Sequence, residues 1–439
     1  MIFKTDIYPW IQYSIVILLV CFSGNQVFSN DVFFVVFFIF LGVLYLTRKK
    51  SPLSFGDLSV IFLFLMILAI QALSFNFFSL VTIAGFIIRL FIGFAAVRLV
   101  NNFPHIYLNV MYVICIISLC FYVLEQLFHA IGYDFASFFK PAVYLMREVF
   151  SLPCGPNICD AHILIYNFED SREIHTNAGM FWESGAFAGY IALALIFLGL
   201  KRDSYAKQFY MTRFLVMIVT LLTTLSTTGY VICFFILILH YRQVEKTVVE
   251  NLGWLSLVVL ASPLLVYGAI RVWNLDFMGP KIIHQYEYAV SQSKPRWQKT
   301  RFGTFLFDWK YIKYRPILGW GLHPKTRYAL DPKDVFASTG QGNGLSGFTH
   351  SFGLLGLGIF IITTWKGLNV LSGNNFFRNS IAMLTILLSL NGEQFLNHPL
   401  FLGLMFLQKS GWKGSIGINK NPDYMCEAKP VPVEAREIT

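Results

Sequence analysis

The run LSVIFLFLMILAIQAL, residues 58–73, carries no charged side chain, and a water-soluble fold has little room for such runs. About 20 apolar residues in a helix cross the hydrocarbon of a bilayer, where the backbone finds no water to bond. Comparable runs recur along the chain, YIALALIFLGL at 190–200 among them. Of the 439 residues, 56% are hydrophobic and only 13% are charged. A soluble domain carries about 25% charged residues. The chain reads as an all-α integral membrane protein.

Hydropathy places twelve transmembrane helices at about 9–25, 31–47, 57–75, 78–98, 104–129, 179–200, 208–223, 227–241, 252–272, 347–365, 379–391 and 398–409. The opening MIFKTDIYPWIQYSIVILLV has a lysine ahead of an apolar run but no small-residue cleavage site, so it reads as the first span rather than a leader. Short loops fix the sides, because lysine and arginine gather on the cytoplasmic face. One set of loops holds Arg48, Lys49, Lys50, Arg98, Lys201, Arg202, Lys207, Arg213, Arg242, Lys246, Lys366 and Arg378. The alternate set, SGNQVFSND, SFNFF, STTG and NGEQFLNHP, holds neither residue. Both termini are therefore expected in the cytoplasm. Helices 1–5 occupy 1–129, a first large outer loop 130–178, helices 6–9 179–272, a second outer loop 273–346, helices 10–12 347–409, and a polar cytoplasmic tail 410–439.

The second outer loop is basic: from Arg271 to Asp334 it has twelve lysines and arginines against five acidic residues. Long loops are exempt from the charge bias, so this charge points to a negative partner outside. Its middle, KTRFGTFLFDWKYIKYRPILGWG, reads as a short amphipathic helix ended by Pro316, with Phe305, Trp309 and Ile312 on the membrane or the bundle. The lysines suit anionic lipid headgroups. Arginine grips phosphate oxygens with a planar fork, which makes Arg301, Arg296 and Arg327 the phosphate-binding candidates.

Glu183, in HTNAGMFWESGAFAGYIALALIF, falls at the outer end of the sixth span. A carboxylate at that depth needs a partner or a task. It is either a general base, its affinity for protons raised by desolvation, or half of an ion pair with a loop arginine. Arg89 lies midway along the fourth span and is either paired, with Glu125 the candidate, or binds phosphate. His350, Glu393 and His398 sit near the outer ends of the last spans; a histidine there is either a hydrogen-bonded structural residue or part of the site. Cys154 and Cys159, in SLPCGPNICD, are expected to close a small turn as a disulfide on the oxidising side. With Asp160 and His162 they form CxxxxCDxH, which is not a metal-ligand spacing. No Walker loop, dinucleotide fingerprint, HExxH or outer DxD-like pair is present, so no nucleotide, cofactor or metal is expected.

Taken together, FWESGAFAGY after the first outer loop, the R-x-G…D-W…RPILGWG segment from Arg301 to Gly321, and Asn343 followed by nine residues, Gly353, two residues and Gly356 resemble the O-antigen polymerase and O-antigen ligase superfamily of bacterial polysaccharide assembly. The resemblance runs across most of the chain. It implies a bacterial inner-membrane enzyme with its two large loops in the periplasm. Such an enzyme uses polyprenyl-diphosphate-linked oligosaccharide as donor and acceptor, without metal, cofactor or nucleic acid. Glu183 and Arg301 are then the catalytic candidates, and Arg89, Arg296, Arg327, Asn343 and His350 the substrate-binding ones. The ligases carry a histidine ahead of the Asn-x9-GxxG pattern; Gly342 stands there, which favours a polymerase over a ligase. Membrane lipid and a separate chain-length regulator are the expected partners. A flippase for the same lipid-linked glycans is the alternative from another class, although it would carry its polar groups through mid-membrane to both faces.

Reducing the Cys154–Cys159 bond is expected to loosen the first outer loop and spare part of the activity, as read from polymer length in reductant-treated cells. Complete loss at a normal protein level contradicts a bracing role.

Overall fold

The computed structural model describes residues 8–25, 28, 31–47, 54–150, 163–168, 176–249, 301–330 and 343–409. These are helical, with no strand among them. Five helices open the fold: α1 Pro9–Gly24, α2 Asp31–Thr47, α3 Phe55–Phe75, α4 Leu80–Leu99 and α5 Phe103–Ala130. The short α6, Lys140–Phe150, precedes α7 Ser184–Leu200, α8 Lys207–Thr223 and α9 Thr227–Val249. Then come α10 Arg301–Ile312, α11 Pro324–Arg327, α12 Gly344–Ser372, α13 Phe376–Gly392 and α14 Pro399–Gly403, the last tightening into a 3-10 turn over Leu404–Lys409. The expected crossing at 252–272, Arg296, Cys154, Cys159, Gly342 and the tail from 410 lie outside the described residues.

Helices α3, α4, α5 and α12 are long and apolar enough to cross a bilayer, and five shorter apolar helices accompany them. Val32, Val36, Ile39 and Val43 on α2, with Phe62 and Leu65 on α3, point outward and are exposed. Apolar surface on that scale is what a lipid bilayer covers. The protein is a helical membrane protein.

At the centre stands α7, buried at every residue from Ala186 to Leu200 and packed on α5, α8, α9 and α13. A helix apolar on all sides belongs inside. It begins five residues later than its hydropathy suggests, because Asn177 ties the preceding segment down. The Asn177 amide donates to Thr223 Oγ1 at 2.9 Å, and its side-chain oxygen accepts from Ser118 at 2.5 Å. Gly179 then turns the chain at φ +56°. Glu183 consequently stands just ahead of α7 with extended backbone, at the helix N-cap. At α14, a Cβ on Gly93 would strike the backbone of Pro399 and Gly403, so this glycine lets α4 and α14 approach closely.

The long helix α12 is broken. Asn343 caps it by accepting from the Ser346 amide at 3.0 Å, three residues before the expected start. At Gly353 the backbone leaves the helical region for φ 67°, ψ −175°, which glycine alone enters readily. The interrupted hydrogen bonds are taken up by RPILGWG. Trp320 and Gly321 donate to the carbonyls of His350 and Ser351, both at 2.9 Å. In return Leu354 donates to Pro316 O at 2.7 Å and Leu355 to Ile317 O at 3.1 Å. The Gln71 amide reaches Ser351 O and Leu318 O, at 2.8 and 2.5 Å, fastening the junction to α3. Irregular backbone survives among membrane helices when protein satisfies it in this way.

Gly353→Ala places a side chain both in a disallowed backbone region and against Ile317 O. It should destabilise the protein by about 2 kcal/mol or more, seen as a lower melting temperature in detergent; an unchanged one contradicts the clamp.

Candidate functional site

Four helix ends meet at one end of the bundle: the starts of α7, α9 and α10 and the finish of α13. Arg301 joins them. Its Nη2 lies 3.3 Å from Glu183 Oε1 and 2.5 Å from Glu393 Oε1, while Nη1 donates to Thr228 Oγ1 at 3.0 Å. One planar guanidinium thus serves two carboxyls and a hydroxyl, a geometry lysine cannot reproduce. Gly185 makes the convergence sterically possible. A Cβ there would lie 2.9 Å from Arg301 Nη2, 3.1 Å from Glu183 Oε1 and 3.2 Å from Glu393 Oε1.

The two carboxyls differ in setting. The Glu183 side chain is 38% exposed, whereas that of Glu393 is 11% exposed. The desolvation expected at Glu183 therefore falls on Glu393. Burial first, and then the carboxyl of Glu183, hold Glu393 well above the usual carboxylate range, against the opposing pull of Arg301. Glu393 keeps its place because Gly344 packs directly on its carbonyl oxygen, where any side chain would collide. Next to it, Asn343 donates to Asn391 Oδ1 at 2.7 Å. Asn343 is thus at once a helix cap and a brace between α12 and α13.

A cavity of about 320 Å³ opens beside this cluster. Arg89 lines it from the middle of α4, together with Trp182, Gln394, His398, Asn25 and Phe34. Trp182 precedes Glu183 and Gln394 follows Glu393, so the chain itself links cavity and cluster. Trp182 stacks on His398 with ring centroids 5.0 Å apart, and the Arg89 guanidinium lies 5.4 Å from the Phe34 ring. Glu125, the partner suggested for Arg89 by sequence, accepts the Tyr166 hydroxyl at 2.9 Å and does not line this cavity.

Helix α10 divides the apolar residues that hydropathy assigned to the membrane or the bundle. Thr304, Phe307, Asp308, Tyr311 and Ile312 are buried, while Phe305 and Trp309 are exposed and stacked on each other. The reason is Asp308. Its carboxylate accepts from Ser346 Oγ at 2.5 Å and faces His350 Nδ1 at 2.9 Å. His350 Nε2 faces the Arg327 carbonyl at 2.9 Å, and Tyr311 stacks on the ring at 4.7 Å. Both His350 and Asp308 are fully buried. The ring is thus held between oxygens of two different elements. The position of His350 fits a fastener between α10 and α12. Arg327 is half-buried, its guanidinium 5.8 Å from the Tyr328 ring.

Of the residues chosen from sequence, Glu183 and Arg301 meet directly, Arg89 lines the adjoining cavity, and Asn343 braces the ends that hold Glu393. From sequence, Glu393 and Thr228 are residues of short outer loops, and Asp308 is one position of the Arg301–Gly321 segment. Glu393 is nonetheless the one acidic residue in its short, otherwise uncharged loop, which is the signal that marks it. No protein-family model matches the chain, and no curated protein matches it in sequence.

The raised Glu393 carries a pH signature. The protonated form is the one the fold favours, so the stability it contributes is complete below the ordinary carboxylate range, near about 4.3. That contribution is lost as pH rises through the higher folded value. Melting temperature should therefore fall with rising pH above that range in the wild type, and fall less in Glu393→Gln. Identical slopes contradict a proton held at Glu393.

Proposed function

We propose that the protein is a polysaccharide polymerase of the O-antigen type. It joins polyprenyl-diphosphate-linked oligosaccharide units on the periplasmic face of a bacterial inner membrane, by metal-independent inverting glycosyl transfer. In this reading the chain crosses twelve times, residues 252–272 supplying the ninth crossing, and both termini are cytoplasmic. The observation that carries it is the Arg301 fork on Glu183 and Glu393, with a cavity lined by Arg89 beside it.

The chemistry follows from that layout. The donor's diphosphate is held at Arg89, where charge develops as it leaves; a preorganised guanidinium in a water-poor site stabilises that charge. The acceptor sugar hydroxyl is placed at Glu183. Its oxygen forms a bond to C1 of the donor from the face opposite the leaving group, and its proton passes to Glu183. The C1–O bond to the diphosphate breaks with its electron pair, leaving the carrier lipid diphosphate and an inverted linkage. Arg301 orients Glu183, and a proton on Glu393 keeps the cluster from carrying two negative charges against one positive. Most of the acceleration then comes from holding the two sugars in line. Arg301 was expected to grip phosphate; its fork meets carboxyls here, and Arg89 lines the adjoining cavity.

Deleting the gene in its host and separating the surface polysaccharide on a gel should leave single repeat units on the lipid core. Re-expression of Glu183→Gln or Arg301→Lys should restore no chains, a loss of about a hundredfold or more, at normal membrane levels of protein. Arg89→Gln should lose donor use with the same outcome. Wild-type chain length in Glu183→Gln or Arg301→Lys removes that residue from the reaction. Full-length chains stranded on the polyprenyl carrier after deletion mean a ligase, and units accumulating on the cytoplasmic face mean a flippase.

A further inference from the structure

The opposite end of the bundle holds a second built feature. There α7 has ended, α13 begins, and α9 is in its second half. Between α9 and α13 lies a cavity of about 490 Å³. Its walls are apolar, with Phe234, Leu237 and Tyr241 from α9 and Phe377 from α13, and two arginines, Arg202 and Arg378, stand in its lining. Those wall residues are also exposed, Phe234 by 60% and Phe377 by 65%. The cavity is therefore a groove open sideways, toward the space a bilayer occupies around apolar helices.

Among the described residues, the charge in this groove is out of balance. Arg202 and Arg378 are almost covered, with side chains 8% and 15% exposed. They share one carboxylate, that of Asp203, at 3.3 Å from Arg202 Nε and 2.9 Å from Arg378 Nη1. Asp203 itself is 69% exposed and faces away into solvent for most of its surface. Two guanidiniums crowd each other: burial first, and then Arg378, lower the proton affinity of Arg202. A further anion relieves both the repulsion and the cost of burying the charge. Guanidinium pairs grip phosphate oxygens, and basic pockets between membrane helices on the cytoplasmic side take anionic lipid headgroups.

We infer that the groove between α9 and α13 binds an anionic phospholipid, its phosphate on Arg202 and Arg378 and an acyl chain along Phe234, Leu237 and Phe377. The site lies away from the Glu183 cluster and stands whether or not the polymerase reading does. Its ligand is matched by both halves of the groove, a basic head and an apolar flank, which a free phosphate would use only in part.

The purified protein in neutral detergent, incubated with phosphatidylglycerol or phosphatidylcholine, tests this by native mass spectrometry. One phosphatidylglycerol should stay bound where phosphatidylcholine does not. Occupancy should fall about tenfold in Arg378→Gln, which removes one charged contact, and comparably in Leu237→Trp, which fills the groove and leaves every charge in place. If Arg378→Gln does not fold, Leu237→Trp alone decides. Equal occupancy in wild type and Leu237→Trp, equal binding of the two lipids, or full displacement of phosphatidylglycerol by inorganic phosphate would each overturn the proposal.

Discussion

Backbone groups among membrane helices have no water to turn to, and α12 leaves the helical path at Gly353 in the middle of an otherwise continuous run. The placing of the Arg301 cluster depends on how that break is repaired. The repair comes from RPILGWG, whose amides and carbonyls exchange hydrogen bonds with residues 350–355. Because the segment follows α10 directly, fixing it also fixes α10. The buried Asp308–His350 contact does the same from the other side. Arg301 is thus delivered to Glu183 and Glu393 by a rigid support rather than by a free loop.

The charge cluster is economical. A lone carboxylate among membrane helices is expensive, and two side by side repel. One guanidinium answers both problems, with Glu183 the more exposed of the pair. Gly185 and Gly344 supply the room, the first beside the three charged groups and the second beneath Glu393. The adjoining cavity adds Arg89 from mid-helix, beside a ring pair of Trp182 and His398 of the kind on which sugars and polar headgroups rest. Positive charge at the far end has a different setting, a groove with apolar flanks that suits lipid.

Much of the architecture was legible in the sequence because membrane helices are written locally, as runs without charge. α1 and α2 lie within a residue of their expected bounds. α7 does not, since Asn177 and Gly179 impose a turn that hydropathy has no means of registering. Hydropathy left open whether the apolar residues of α10 meet the membrane or the bundle, and Phe305 and Trp309 turn outward while Ile312 turns in. Phe305 and Trp309 are the larger apolar groups, but Asp308 has partners in Ser346 and His350, and a satisfied carboxylate outranks unpaired aromatics that lipid can cover. FWESG and the Arg301 segment announced themselves by charge in apolar surroundings. Their meeting with Glu393 did not, because it spans 92 residues from Arg301 and 210 from Glu183, and no local pattern encodes it.

The central claim is that this cluster joins lipid-linked sugars without assistance. The most direct measurement places the purified protein in liposomes with its host's polyprenyl-diphosphate-linked repeat units and a metal chelator, and follows the products on a gel. The account predicts a ladder of multiples of the repeat unit with release of carrier diphosphate, abolished by Glu183→Gln. Units left unjoined by the wild type, while membranes from the same host join them, would contradict it.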